Sequence, residues 1–158
     1  MRNLILAFVL IFMGSLNGYS QTALDTDGLN NLDNVFLFSL KKYCNSLDSL
    51  NTKVVYVRSN YNIGEKWPTK INTFEIKYLN SEKDHKKAIK ENGGRVTIVE
   101  ISSLEMRNGK FSVDVIPFSA TYRKRMIHLV NGGGLRVYFD YDEGKKGLIY
   151  KSEKWNGI

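Results

Sequence analysis

Two β-rich runs between Arg95 and Thr121 meet at Asn108-Gly109, and together they are the strongest local pattern in the chain. Both central residues of a type I′ turn need a positive φ, which Asn and Gly adopt at the least energetic cost. The pattern therefore predicts a long β-hairpin with Asn108 and Gly109 as its two-residue loop. The rest of the domain is expected to pack around this hairpin.

The apolar residues of the hairpin change faces partway along its length. Counting outward from the turn, Ile101 faces Ile116, and Ile101 and Leu104 point to opposite faces because side chains alternate along a strand. The change falls near Ser102-Ser103 on one strand, and at the same level Pro117 on the other strand has no N–H to donate. A β-bulge or a sharp coil is therefore expected at this level.

Two segments have the apolar spacing of helices. Between Leu32 and Leu50 apolar residues recur at steps of three and four, and Asn31 or Asp33 can cap the first turn. A shorter helix is predicted over Ser81–Asn92, where Ser81 caps the start and Gly93-Gly94 ends it. Both apolar stripes are typical of helices that pack against a sheet.

Alternating or β-branched runs predict further strands before and after the hairpin. The second hairpin strand is expected to continue through Tyr122–Val130. Asn131-Gly132-Gly133-Gly134 is then expected to form a hairpin turn, because no helix follows these glycines as a phosphate-binding loop would require. The remaining predicted strands are Lys53–Arg58, Ile71–Leu79, Leu135–Tyr141 and Leu148–Lys151.

These elements predict a single α+β domain with a mainly antiparallel sheet of about six strands and both helices packed on one face. The order of helix, two strands, helix and four strands resembles that of the cystatin-like and nuclear-transport-factor-like folds, in which a helix lies in a curved, cone-shaped sheet. The resemblance rests on element order and implies no functional residue, because a fold alone does not specify a function.

The first twenty residues have the composition of a secretory signal peptide. Arg2 supplies the positive charge, Leu4–Met13 an apolar run of ten residues, and Gly18-Tyr19-Ser20 a cleavage site of small residues. The run is shorter than the roughly 17 to 25 residues that span a bilayer, so cleavage is expected rather than a transmembrane anchor. The sequence thus predicts an exported protein, periplasmic or extracellular, with residues 1–20 as signal peptide, 21–30 as a flexible linker and 31–158 as the domain.

The charge balance is basic, and it narrows the range of partners. The formal net charge of +7 favours anionic ligands, although such a surplus also keeps proteins soluble. For an exported protein nucleic acid is not an expected partner, and the candidates are lipopolysaccharide, acidic glycans or an acidic protein. The single cysteine, Cys44, lies in the apolar pattern of the first helix and is expected to be a buried thiol.

Four side chains are candidates for ligand binding. Arg123 and Arg125 share a face if they lie on a strand, and their planar forks suit carboxylate or phosphate groups. Tyr61 and Trp67 lie on the loop after the first predicted strand, where aromatic rings can form a ligand platform. The alternatives are a solvated sheet edge for the two arginines and a place in the core for Trp67.

Catalytic and metal chemistry has little support in the sequence. Two histidines and one cysteine are too few for the usual zinc sites, no nucleophile motif is present, and no cofactor is expected. Paired carboxylates could still meet in the fold, from Glu65, Glu75, Glu100, Asp114 and Asp140.

The sequence favours a small exported binding module, because export and basic charge are combined with a sparse catalytic inventory. The alternatives are a carboxylate-based hydrolase or lyase with a cone-shaped pocket, and a protease or toxin inhibitor.

Overall fold

The structure is a computed structural model that describes residues 34–47, 53–64 and 67–157. The predicted signal peptide, the predicted linker, both ends of the predicted first helix and Glu65 lie outside these described residues. In the described ranges, no helix is long and apolar enough to cross a membrane.

Two helices and nine strands make up this part of the chain, and the predicted α+β class is confirmed. All nine strands belong to one sheet in the order β2-β3-β1-β4-β6-β8-β9, with β5 and β7 also paired to β6. In chain order the elements are α1 (Val35–Ser46), β1 (Val54–Arg58), β2 (Lys70–Ile71), β3 (Phe74–Leu79), α2 (Glu82–Glu91), β4 (Arg95–Ile101), β5 (Glu105–Arg107), β6 (Lys110–Arg123), β7 (Met126–Asn131), β8 (Gly133–Asp142) and β9 (Gly147–Gly157).

The predicted sheet of about six mainly antiparallel strands is wrong in number and in part in direction. β1 lies parallel to β3 and to β4, so the sheet is mixed. Parallel pairing needs a crossover connection, and here α2 carries the chain from β3 past β1 to β4. No local turn signal indicates a pairing such as Tyr56 with Ile98, because the two residues are far apart in the chain.

The helices differ in how well they were predicted. Within the described residues, α1 is shorter than the helix predicted from Leu32 to Leu50. It begins after Asn34, whose side-chain oxygen caps the helix by accepting a hydrogen bond from the Leu37 N–H at 2.9 Å. In α2 the predicted cap is confirmed, since the Ser81 hydroxyl accepts a hydrogen bond from the Asp84 N–H at 3.3 Å.

The two helices pack on opposite faces of the sheet, which corrects the prediction that they share one face. α1 covers buried residues of β1, β3, β4, β6 and β8, here called the α1 core, while α2 covers a smaller α2 core on β1, β3, β4 and β6. In β1, Val55 and Val57 belong to the α1 core and Tyr56 to the α2 core, and successive residues of a strand point to opposite faces. The resemblance to a cone, in which a helix lies in a curved sheet, stays a prediction.

The apolar residues of the central strands change faces between these two cores. In β4 the α2 core ends at Ile98 and the α1 core begins at Val99. In β6 the change falls between Val115 in the α1 core and Ala120 in the α2 core. These two strands are thus buried on one face at one end and on the other face at the other end.

The central hairpin has the predicted turn and the predicted irregularity. Asn108 and Gly109 form its two-residue loop, both with positive φ. Ile101 pairs with Val115 instead of Ile116, because the chain between β4 and β5 carries one extra residue, a β-bulge. The bulge reverses the alternation, so Leu104 packs against the α1 core on the same side as Ile101. The prediction that these two residues point to opposite faces is therefore wrong.

Pro117 lies in β6 at a level where no ladder hydrogen bond is lost. The Ser102 N–H donates to the Asp114 carbonyl oxygen at 2.8 Å, so the backbone polar groups of Asp114 point toward β4. These groups alternate between the two edges of a strand, so those of Pro117, three residues on, point to the edge away from β4. On that edge the pairing with β8 ends at Val115 and the pairing with β7 begins at Phe118. The missing N–H therefore falls between two partner strands.

Asn131–Gly134 does not form the predicted hairpin turn. β7 and β8 run one after the other along β6, both antiparallel to it, so the chain keeps its direction through the glycines. Gly133 has a φ of 110°, and a Cβ on it would lie 2.2 Å from the Asn156 carbonyl oxygen. A Cβ on Gly134 would lie 2.9 Å from the Val115 carbonyl oxygen. Neighbouring backbone therefore leaves no room for a side chain at Gly133 or Gly134.

The chain reverses instead at Lys124-Arg125, which corrects the prediction of a continuous strand over Tyr122–Val130. Arg123 pairs with Met126, so Lys124 and Arg125 form a two-residue loop with φ of 49° and 66°. A positive φ is costly for residues that carry a Cβ. Another two-residue hairpin loop of the chain, Asn108-Gly109, uses the less strained Asn-Gly pair.

The double substitution Lys124→Asn/Arg125→Gly is expected to raise the free energy of unfolding by roughly 1–2 kcal/mol, because Asn and Gly adopt positive φ more readily. Urea unfolding measures the change. The reciprocal exchange Asn108→Lys/Gly109→Arg should lower the free energy of unfolding by a similar amount. Equal stability of all three proteins would show that neither loop is strained.

Gly133→Ala is expected to lower the free energy of unfolding by roughly 3 kcal/mol, since the added methyl meets backbone and the φ is strained. Gly132→Ala is the matched control, because a Cβ there has nothing within 4 Å. Its effect should stay below roughly 0.5 kcal/mol in the same urea titration. A Gly133→Ala protein as stable as the control would contradict the close approach of β9.

Candidate functional site

A concave site lies on the face of the sheet opposite α1, at the end that α2 does not cover. Its volume of about 370 Å³ is in the range of small-molecule sites. The cavity is lined by Arg107, Asn108, Lys110, Ser112, Arg136, Tyr138, Lys151 and Ser152.

Strand alternation in β6 and β8 determines which side chains form the floor of this cavity. Val113 and Val137 point into the α1 core, so Ser112 and Tyr138 beside them point to the opposite face. Ser112 and Tyr138 are direct cross-strand partners, and Ser112 is buried. The floor therefore presents two hydroxyl groups, each able to donate or accept a hydrogen bond.

A β-bulge in β9 adds Lys151 to the same face. Tyr138 pairs with Ser152 and Phe139 pairs with Tyr150, so Lys151 is an extra residue between two regular pairs. Tyr150 packs against the α1 core, whereas both Lys151 and Ser152 line the cavity. Bulges often re-aim a side chain in this way.

Arg136 is the most constrained cation of the site. Its Nε and Nη2 atoms donate to the two carboxylate oxygens of Asp114, each at 2.6 Å. The hydrogen bonds from Arg136 to Asp114 raise the pKa of the guanidinium above its ordinary value, with a smaller contribution from Tyr138. Arg136 is thus a fixed cation with donor atoms to spare, since a guanidinium has five N–H groups.

The lining contains four basic side chains and no carboxylate. Arg107 pairs with Glu105 at 3.0 Å and Lys151 with Asp140 at 2.5 Å, both from outside the lining. Lys110 has no carboxylate within salt-bridge distance among the described residues. The arrangement suits an anionic group, which would meet cations on several sides and hydroxyls beneath it.

The two aromatic candidates from the sequence have different environments. Trp67 is only 6% exposed, and its ring packs edge-on against Tyr78 at 6.4 Å between centroids. Trp67 therefore occupies the core position that the sequence left open as an alternative. Tyr61 is 84% exposed, and its hydroxyl is hydrogen-bonded to Ser103 beside the end of β4.

The two arginine candidates lie at the other end of the sheet from Tyr61. Arg123 is the last residue of β6, two residues beyond Thr121, which pairs with the first residue of β4. The Tyr61 loop lies at the other end of β4, where the Asn60 side chain donates a hydrogen bond to the carbonyl oxygen of Ile101. Seven residues of strand separate these ends by roughly 20 Å. The structure does not bring the four predicted ligand residues together, and none of them lines the cavity.

The carboxylates considered for catalysis are each paired with a cation where the structure describes them. The pairs are Glu75 with Lys77, Glu100 with Arg58, Asp114 with Arg136 and Asp140 with Lys151. The described residues also contain no group of three or more His, Cys, Asp or Glu side chains placed to hold a metal ion. The hydrolase alternative stays a hypothesis and gains no support from this pairing.

Sequence reasoning missed the cavity because its cations are far apart in the chain. Strict alternation in β8 does place Arg136 and Tyr138 on one face, which is a signal that could have been used. Lys151 could not be assigned in this way, because the bulge in β9 reverses the alternation at that residue.

Comparison of the chain with protein-family models, with characterised proteins and with solved structures found no match.

Proposed function

We propose that this chain is an exported binding module for an anionic group carried by a glycan or a lipopolysaccharide. The observation that carries the proposal is the convergence of four basic side chains on one cavity that has no acidic lining residue. The cavity is concave and large enough for one charged sugar unit, and this shape fits such a unit better than it fits a flat protein surface.

The chemistry of the lining supports the anionic part of this proposal. The fixed guanidinium of Arg136 can donate to sulfate, phosphate or carboxylate oxygens, and Lys110 adds a cation without a carboxylate partner in the described chain. Ser112 and Tyr138 can bond the neutral hydroxyls of a sugar. Export, predicted from the leader-like residues 1–20, would bring the site to acidic glycans and lipopolysaccharide.

The double variant Lys110→Ala/Lys151→Ala is expected to weaken binding of a heparin-derived oligosaccharide at low salt by about tenfold or more, because two charge-assisted contacts are lost. Asp140→Asn should strengthen binding, since it frees the ammonium group of Lys151. Calorimetric titration of the purified variants measures both changes, and titration with lipopolysaccharide tests the second ligand class.

Lys83→Ala/Lys90→Ala is the matched control, because it removes the same charge from α2, outside the cavity lining. The control should bind the oligosaccharide as the unaltered protein does. The proposal is wrong if neither heparin nor lipopolysaccharide binds at low salt. It is also wrong if the control and the cavity variant weaken binding equally.

A further inference from the structure

The β6–β7 hairpin forms a second basic surface, at the opposite end of the sheet from the cavity. It is called the tip patch below and takes residues from both faces of the hairpin end. Tyr122 and Leu129 lie on the face of the α2 core, and Arg123, Met126 and Val130 lie on the opposite face. Lys124 and Arg125 form the loop that joins the two strands. Eight large hydrophobic side chains are exposed in the described chain, and four of them lie in this patch. Met126 is 58% exposed and Val130 65% exposed.

The positive charge of the tip patch is not neutralised by nearby acids. Arg123, Lys124 and Arg125 have no carboxylate within salt-bridge distance among the described residues. Lys86 of α2 lies over the Tyr122 ring, with Nζ 5.1 Å from the centroid, but it is paired with Glu82 at 2.7 Å and adds no unpaired charge. The patch therefore combines unneutralised cations with exposed apolar side chains.

The backbone of the loop is a second, independent indication of function. Two hairpin loops of the described residues have a positive φ at both positions, Asn108-Gly109 and Lys124-Arg125, whereas the Asn72-Thr73 loop has it only at Asn72. The choice of Lys124-Arg125 strains the backbone; strained residues persist where the surrounding structure enforces them, and they cluster at functional sites. Two basic side chains are thus held at the exposed end of the hairpin at a cost in stability.

We propose that the tip patch binds the surface of an anionic lipid bilayer, with Arg123, Lys124 and Arg125 at the headgroups and Tyr122 and Met126 in the interfacial layer. Basic side chains near an anionic bilayer are attracted to its surface potential. Apolar side chains next to them gain from burial at the boundary between headgroups and acyl chains.

Other partners fit the tip patch less well. A sulfated glycan would pair with the cations but offers no apolar counterpart for Met126, Leu129 and Val130. A stable protein interface uses about 20 to 30 residues on each side, whereas this patch is one hairpin end. A lipid surface supplies both anionic groups and an apolar layer to a narrow, projecting hairpin.

The proposal is tested by sedimentation with vesicles of 30% phosphatidylglycerol in phosphatidylcholine and with vesicles of phosphatidylcholine alone, compositions chosen for roughly physiological anionic charge. The purified protein should sediment with the anionic vesicles only. Lys124→Asn/Arg125→Gly should weaken this binding by about tenfold or more, while its unfolding midpoint in urea rises because the loop is relieved. Higher stability with lower binding separates loss of the lipid contact from loss of the fold.

Met126→Ser tests the apolar contact, and it should weaken vesicle binding severalfold without changing binding to heparin. Lys145→Ala/Lys146→Ala is the control, because it removes two charges from the β8–β9 loop instead. That control should bind anionic vesicles as the unaltered protein does.

The proposal is overturned if the loop variant binds vesicles normally, if the control loses as much binding, or if Met126→Ser has no effect. The lipid-binding proposal does not depend on the proposed glycan site, because the residues changed in the cavity variants lie outside the tip patch.

Discussion

The structure depends on one constraint, which is that the two central strands bury opposite faces at their two ends. In β4 the change falls between Ile98 and Val99, and β6 changes between Val115 and Ala120. A sheet with this pattern must be covered by α1 on one face and by α2 on the other, because apolar side chains left in water would oppose folding. Along β4 and β6 each helix covers one end and leaves the opposite face at that end uncovered, whereas β1 is buried on both faces.

The cavity and the tip patch both follow from these uncovered ends. Beneath α1, the reverse face of β6 and β8 carries Ser112, Arg136 and Tyr138, which line the cavity. At the α2 end, β7 is an edge strand with most of its side chains exposed, and it leads into the Lys124-Arg125 loop. The two surfaces lie on different ends of one rigid sheet, so a ligand in the cavity and a membrane at the tip would not compete for the same residues.

Three β-bulges adapt the regular sheet to these demands. The extra residue between β4 and β5 keeps Leu104 against the α1 core. Between β7 and β8, residues 132–134 lie opposite only residues 116–117 of β6, and this extra residue lets both strands pair with β6. The bulge at Lys151 aims a cation at the cavity. Each bulge shifts the alternation by one residue, which is why reading every second residue fails beyond it.

The sequence by itself determined the features that local chemistry controls. These are the Asn108-Gly109 turn, the cap of α2 at Ser81, the irregularity of the central hairpin and the burial of Cys44. Each depends on a few neighbouring residues whose φ preferences, hydrogen-bonding groups or apolar spacing favour one structure.

Only the tertiary structure decided the parallel pairing of β1, the placement of the helices on opposite faces and the convergence of Lys110, Arg136 and Lys151. The tertiary structure also placed the chain reversal at Lys124-Arg125, although these residues have no preference for a turn. The reversal is required because β6 pairs first with β7 and then with β8. These features arise from contacts between distant segments, whose energies exceed the small local preferences of individual residues. Local pattern alone cannot rank such pairings, since each is stabilised by a partner that lies elsewhere in the chain.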